Sequence, residues 1–206
     1  MIIESIQRSR HRKGRILVYL ADGSVLKITE QELLDFGLRP GDDIDDGRLQ
    51  ALKEAAGVSD VRSAAADLIG RRAMSRAELE QKLRRKGASE NDARYAAEWL
   101  EAIGALNDGE YAALLARHYA AMGYGPARVR EKLREKGIPR ELWDDALDTL
   151  PDSGGQIDRF LAAKLRGVPP DEKEKKRLSD ALARRGYGWS DIQAAWRRYG
   201  SAIEEQ

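Results

Sequence analysis

The side chains whose types and spacing could do chemistry in this chain are cations. Residues 71–86 carry Arg71, Arg72, Arg76, Lys82, Arg84, Arg85 and Lys86 against Glu78 and Glu80. Residues 128–136 carry Arg128, Arg130, Lys132, Arg134 and Lys136 against Glu131 and Glu135. Residues 173–185 carry Lys173, Lys175, Lys176, Arg177, Arg184 and Arg185 against Glu174 and Asp180. Clusters of this kind hold phosphates or carboxylates rather than transform them. Part of the pattern complements helix dipoles: Lys86, Lys136 and Arg185 stand where a helix C-terminus favours a cation, worth ~0.3–1 kcal/mol apiece. That does not require Lys82 and Lys132, or Arg84 and Arg134, to recur at matched positions further back. The expected binding face therefore comprises Lys82, Arg84, Lys86, Arg128, Lys132, Arg134, Lys136, Arg184 and Arg185.

No catalytic constellation accompanies these cations. The sequence has no GxxxxGK[ST] phosphate loop, no GxGxxG after a strand and no serine in a nucleophile elbow. It has no cysteine and two histidines, so neither a disulfide framework nor a metal site is expected. A binding protein without cofactor or catalytic residues is the expectation.

The elements that must position the cations repeat. Gly87, Gly137 and Gly186 lie 50 and 49 residues apart. Four residues before each stands a leucine (Leu83, Leu133, Leu182), and eight before stand Leu79, Val129 and Leu178. Beyond the glycines, Ala93, Ala96, Ala97 and Leu100 match Trp143, Ala146, Leu147 and Leu150, then Ile192, Ala195, Trp196 and Tyr199. This spacing predicts a helix, a left-handed glycine stop and a second helix, each copy preceded by a further apolar helix. The middle copy is the clearest, with Gly125-Pro126 opening the basic helix and Pro139 the next. Stacked units of three helices predict a mainly α fold: an elongated, right- or left-curved solenoid of tandem three-helix repeats.

Capping signals place the boundaries. Ser75 with Glu78, Ser89 and Asn107 open helices, and Gly104 and Gly123 close them. Leu68 and Ile69 are the expected buried pair of the first repeat, and His118 is expected on or beside an apolar face. Pro151–Gly155 is the best linker, Gly167-Val168-Pro169-Pro170 a longer loop, and the chain after Gly200 is expected to fray. The basic helices are followed by acidic ones in two copies: Glu90, Asp92, Glu98 and Glu101, then Glu141, Asp144, Asp145 and Asp148. Trp99, Trp143, Trp189 and Trp196 read as packing residues.

Only the N-terminal stretch reads as β: a small hairpin or meander extension. Ile2–Ser9, Arg15–Leu20 and Val25–Ile28 are the expected strands. Asp22-Gly23 is expected to join the last two through a two-residue turn with positive φ at both positions. The first loop gathers Arg8, Arg10, Arg12, Lys13 and Arg15 around His11, either as a solvated tip or as a small-anion or nucleic-acid contact. Thr29 and Glu32 form a capping box for a short helix ending at Gly37. A helix bearing Leu49 and Leu52 follows, with an interruption expected near Gly57. The resulting organisation is 1–58 for the β-meander and short helices, then repeats at 59–106, 107–152 and 153–206.

Composition bounds the partners. The 36 basic and 35 acidic residues nearly cancel, so the net charge of +1 gives no overall pull toward a polyanion. No apolar run approaches the ~20 residues of a membrane span, and the N-terminus does not resemble a signal peptide. A cytoplasmic protein without membrane contact is expected, and its distinct ends suggest a monomer.

Three features together resemble the RecX regulators of the recombinase RecA. The first is the recurring unit Leu83-Arg84-Arg85-Lys86-Gly87, Leu133-Arg134-Glu135-Lys136-Gly137 and Leu182-Ala183-Arg184-Arg185-Gly186. The second is Gly123-Tyr124-Gly125-Pro126 with Arg128 close behind, and the third Leu106-Asn107-Asp108 ahead of Tyr111-Ala112. The hairpin and Phe36–Gly41 are similar to an extension on some members. The third copy departs in Arg185 and its Pro-Pro insert. The resemblance implies a non-catalytic protein that binds the RecA–single-stranded-DNA filament and restrains its extension, ATPase, strand exchange and coprotease activities. It leaves room for direct, weak DNA binding. Two other readings remain at this point: a nucleic-acid-binding helical protein acting without RecA, and an adaptor solenoid for another protein.

Overall fold

The computed structural model describes residues 1–12 and 14–204, which form two compact units. The first comprises Met1–Arg72 with Leu79–Ala105, and the second Ala73–Glu78 with Leu106–Gln206.

In the first unit, β1 (Ile3–Arg8), β2 (Arg15–Leu20) and β3 (Val25–Thr29) form an antiparallel meander in that order. Alternation sends Ile16, Val18, Leu20 and Ile28 to one face, where they pack with Ile3, Leu38, Ile44, Leu49 and Leu52. The β2–β3 turn differs from the expected two-residue form. Gly23 has φ +81°, but no positive φ occurs at Asp22. The Gly23 amide donates to the Leu20 carbonyl, and Leu20 donates to Ser24. The connection is thus a three-residue loop with a single left-handed position. The Asp22 carboxylate stabilises it by accepting from the Ser24 amide at 2.9 Å.

Thr29 and Glu32 form the expected capping box at the start of α1 (Glu30–Asp35). Next, α2 (Asp46–Arg71) runs unbroken for 26 residues, straight through Gly57. A helical glycine costs ~1 kcal/mol relative to alanine. Here burial on both sides outweighs that cost, with Leu49 and Leu52 in the β-sheet core and Ala65 fully buried further on. Position 58 therefore falls inside a helix. Leu68 and Ile69 are only half-buried.

The helix α3 (Arg76–Arg85) buries Leu79 and Leu83, and α4 (Glu90–Ala102) buries Ala93, Ala96, Ala97 and Leu100. The small alanine face suits close packing of α4 against α2.

The second unit holds α5 (Asp108–Ala121), α6 (Pro126–Glu135), α7 (Trp143–Asp148), α8 (Ser153–Leu165), α9 (Glu172–Arg184) and α10 (Trp189–Glu204). Two clusters among the described residues contribute to its core. Val129 and Leu133 of α6 pack with Tyr111, Leu115 and Ala146. Leu178 and Leu182 of α9 pack with Ile157, Leu161, Ile192 and Trp196. Pro139 does not open α7 directly; a 3-10 turn over Arg140–Leu142 intervenes. The Pro151–Gly155 stretch is shorter as a linker than expected. Asp152 caps α8 by accepting from Gly155, which draws Ser153, Gly154 and Gly155 into the first turn. At the other end α10 continues through Gly200 to Glu204 rather than fraying.

The recurring Leu-x-x-Lys/Arg-Gly unit is a Schellman stop in all three copies. Gly87, Gly137 and Gly186 have φ of +98°, +68° and +88°. The residue after each glycine donates to the leucine carbonyl: Ala88 to Leu83, Ile138 to Leu133 and Tyr187 to Leu182. The leucine anchors the core while its carbonyl closes the cap, which explains why leucine and glycine hold that spacing.

Two of these stops also join helices. At the end of α9, the Arg185 carbonyl accepts from the Gly125 amide at 2.8 Å and the Gly186 carbonyl from Ala127 at 3.1 Å. The last carbonyls of one helix thereby satisfy first-turn amides of another, with partial charges of opposite sign in contact. At the end of α6, Ser75 Oγ donates to the Lys136 carbonyl at 2.5 Å while accepting from the Glu78 amide at 3.1 Å. Ser75 is fully buried. Ser75→Ala should therefore lower unfolding stability by about 1–3 kcal/mol, since it removes a cap and strands a buried carbonyl. Urea denaturation measures this directly, and a loss below ~0.5 kcal/mol, the range of ordinary surface changes, would argue against the joint.

Candidate partner-binding surface

At about 100° per residue, the neighbours of a buried helical leucine fall on opposite flanks. Around Leu133, Arg128, Lys132 and Lys136 descend one flank of α6, and Arg130 and Arg134 the other. Lys82 and Lys86 share a flank of α3, opposite Arg84. The seven expected cations on these two helices thus fall on two flanks, separated by the buried leucines, where a single face was expected.

Burial follows the same division on α6 but not on α3. Arg128, Lys132 and Lys136 are half-buried, whereas Arg134 is exposed. On α3, Lys82 is half-buried and Arg84 and Lys86 are exposed. Arg184 and Arg185 are exposed at the end of α9. Lys82, Arg84 and Lys86 belong to the first unit and the other six to the second.

The half-buried row is engaged within the protein. Arg128 Nη1 pairs with Glu131 Oε2. Lys132 Nζ lies 2.7 Å from Glu135 Oε2. That hydrogen bond raises the lysine's pKa and holds the Glu135 carboxyl below the usual carboxylate range. On the other flank, Arg130 reaches Asp144 of the acidic α7 at 3.6 Å. The Arg185 guanidinium lies over the Phe160 ring, 4.9 Å from its centroid. Arg84, Lys86, Arg134, Arg184 and Arg185 are the exposed members of the expected set.

The N-terminal loop is less of a solvated tip than its composition suggests. Arg15 is buried, with Nη2 2.5 Å from Asp60 Oδ1 on α2. Arg12 faces Asp67 at 3.5 Å and Arg8 faces Glu30 at 3.1 Å. Arg10 and His11 are exposed, and Lys13 lies outside the described residues.

Three tryptophans pack as expected and one does not. Trp196 is buried and donates to Ser179 Oγ at 2.8 Å. Trp143 donates to the Ile138 carbonyl at 3.0 Å, and Trp99 is half-buried beneath Arg62. Trp189 is 61% exposed because it opens α10 before the buried stripe begins. His118 is also exposed and meets only the edge of Tyr119. Among the described residues no cluster of three or more metal-ligating side chains occurs, and no helix is long and apolar enough to cross a membrane.

Three successive family domains match this architecture: the first three-helix domain of RecX over residues 62–100, the second over 107–147 and the third over 157–196. Regulatory protein RecX of Halorhodospira halophila is 35% identical over 153 residues, 70% of this chain and 91% of that protein. The chain belongs to the RecX family. Regulatory protein RecX of Ectopseudomonas mendocina is 37% identical over 129 residues, covering 62% of this chain and 86% of its own length. A crystal structure of regulatory protein RecX has the same fold, with a TM-score of 0.75 at 24% identity, over 95% of this chain and 98% of that one. RecX from Lactobacillus salivarius superposes over 71% of this chain and 98% of its own, with a TM-score of 0.62 at 22% identity. The first of these RecX structures spans the N-terminal sheet as well as the helical repeats.

Gly125, Arg128, Arg185 and Gly186 each belong to a motif of the sequence, but neither their meeting at the α9–α6 joint nor the cavity beside it can be read from spacing. That cavity, of about 510 Å³, is lined in part by Arg117, Gln156, Arg159, Phe160, Arg185 and Tyr187. Arg117 and Arg159 are isolated cations in the sequence, 42 residues apart, and no periodic pattern links them.

Proposed function

We propose that this protein regulates RecA by binding the RecA–single-stranded-DNA filament and restraining its extension, ATP hydrolysis, strand exchange and coprotease activity. Its family membership supports a regulatory role. The observation that carries the finer reading is the exposure of Arg84 and Arg134, each three residues before its stop glycine, and of Arg184, two before Gly186, at the ends of helices that each close in a Schellman stop. A filament repeats the same protomer surface, so a chain that repeats its own cations can contact it more than once. Exposed ion pairs are individually weak; tethered repeats raise the effective concentration of each further contact. The action needs no chemical step by this chain and takes place in the cytoplasm, on RecA already assembled on DNA.

DNA-dependent ATP hydrolysis by the cognate RecA tests this reading. Added well below the RecA concentration, the protein should remove most of the hydrolysis, because one molecule bound in a filament or at its growing end affects many protomers. Competition for DNA sites would need far more protein. Full hydrolysis at equimolar protein, with helical circular dichroism intact, would exclude RecA regulation and favour an adaptor for another protein.

A further inference from the structure

The cavity beside the α9–α6 joint brings together three guanidinium groups from three helices. Arg117 comes from α5, Arg159 from α8 and Arg185 from the end of α9. No carboxylate among the described residues lines it. The acidic neighbour on α8 is engaged elsewhere, because Asp158 forms a two-oxygen pair with Arg198, at 2.9 Å for each bond. The guanidiniums are held from behind without loss of charge. Arg159 Nε donates to the Gly155 carbonyl at 3.1 Å, and Arg185 lies over Phe160. Tyr187 is buried on the same wall and donates to Gln156 Oε1 at 2.8 Å. Burial pushes its hydroxyl pKa up, while the charges of Arg185 and Arg159 oppose that rise.

We propose that this cavity is a nucleotide-binding pocket for single-stranded nucleic acid, in which Arg117 and Arg159 hold the phosphate and a base stacks on the Arg185 guanidinium. Its volume lies within the ~300–1,000 Å³ of small-ligand sites, more room than a carboxylate side chain needs. Guanidinium forks match the paired oxygens of a phosphate, and a guanidinium such as that of Arg185, which lies over Phe160 at the cavity wall, can stack on a base. The cations also continue beyond the pocket. Arg184 is exposed next to Arg185. A ligand charged at every residue fits such a track better than one with a single anion. The pocket lies wholly within the second unit and operates without RecA.

Fluorescence anisotropy of the full chain with a short fluorescein-labelled oligothymidylate tests the assignment. The double variant Arg117→Gln/Arg159→Gln should raise Kd by roughly tenfold or more. Loss of two phosphate contacts should also flatten the slope of log K against log salt by about 1.4 for a single strand. A control double variant, Lys164→Gln/Lys173→Gln, removes the same charge from exposed positions outside the pocket and should leave affinity within about twofold of wild type, the change expected of dispersed charge. Equal weakening in both double variants, unchanged binding in the first, or no binding by the wild type would overturn the proposal. So would displacement of the oligonucleotide by oligoglutamate of equal charge at equal concentration, which would indicate an acidic protein ligand. RecA-dependent ATP hydrolysis with the Arg117/Arg159 variant separates this proposal from the regulatory one. Lost oligonucleotide binding with retained inhibition supports the pocket and assigns regulation to protein contacts. Retained oligonucleotide binding overturns the pocket whatever the effect on RecA.

Discussion

Gly186→Ala is expected to destabilise the protein by about 3–5 kcal/mol, far more than the same change at Gly87. Both glycines are left-handed, at φ +88° and +98°, and an alanine there costs ~1–2 kcal/mol. The positions differ in their surroundings. A Cβ at Gly87 meets nothing within 4 Å, whereas one at Gly186 would sit 2.4 Å from the Arg128 amide nitrogen and 2.7 Å from its Cβ. Arg128 N belongs to the first turn of α6, so relief requires moving one helix off another. Such overpacking adds typically 1–3 kcal/mol, and separation would weaken the two bonds from α9 carbonyls to Gly125 and Ala127. Gly125→Ala isolates the contact from the backbone. Gly125 has negative φ, −79°, yet its Cβ would lie 2.5 Å from the Gly186 carbonyl carbon and oxygen. Urea denaturation of the three variants should give the order Gly186→Ala worst, Gly125→Ala next and Gly87→Ala mildest. Equal losses at Gly186 and Gly87 would mean that the joint contributes nothing beyond the stop.

The second large effect concerns binding. Charge reversal at Arg84, Arg134 and Arg184 together should weaken association with the RecA–single-stranded-DNA filament by roughly 10²-fold, since each change replaces an attraction by a repulsion and the three act through one tethered chain. All three side chains are exposed, and their helices are anchored by leucines on the opposite side. The melting temperature should fall by no more than ~2–4 °C, the effect of about 1 kcal/mol in a chain of this size. Arg128 is a poorer choice for this test, because it pairs with Glu131 and its backbone sits at the helix joint. Filament binding by the triple variant can be followed by co-sedimentation. Wild-type affinity in a well-folded triple variant would exclude these cations as the contact.

Much of the local architecture can be read along the chain, because it depends on residues close in sequence. Gly125-Pro126 opens α6, Asn107 caps α5 through Gly109 and Glu110, and Ser89 caps α4 through Asp92. The stop glycines and their leucines form one hydrogen-bonded motif within six residues, so its recurrence identifies a three-helix repeat without reference to the remaining structure. The N-terminal meander follows from alternating apolar residues in the same way. Where the local reading departs from the structure, a longer-range contact has overridden a local preference. Gly57 signals a break, but α2 is held by cores on both sides of it. Arg15 reads as part of a solvated loop, but Asp60 waits on α2, 45 residues later.

The candidate surface divides along the same line. Which helices are basic, where each stops and which leucine turns inward can all be read along the chain, since helical periodicity needs only spacing and hydrophobicity. Packing in three dimensions sets which cations are taken up and which are exposed: Lys132 is held by Glu135 while Arg134 is exposed. Packing also brings Arg117, Arg159 and Arg185 around one cavity and makes Gly186 a point of backbone contact as well as a stop. The reason is physical. A helix stop is set by φ/ψ preference and hydrogen bonds a few residues apart, whereas a pocket is set by which surfaces meet once the apolar faces are buried.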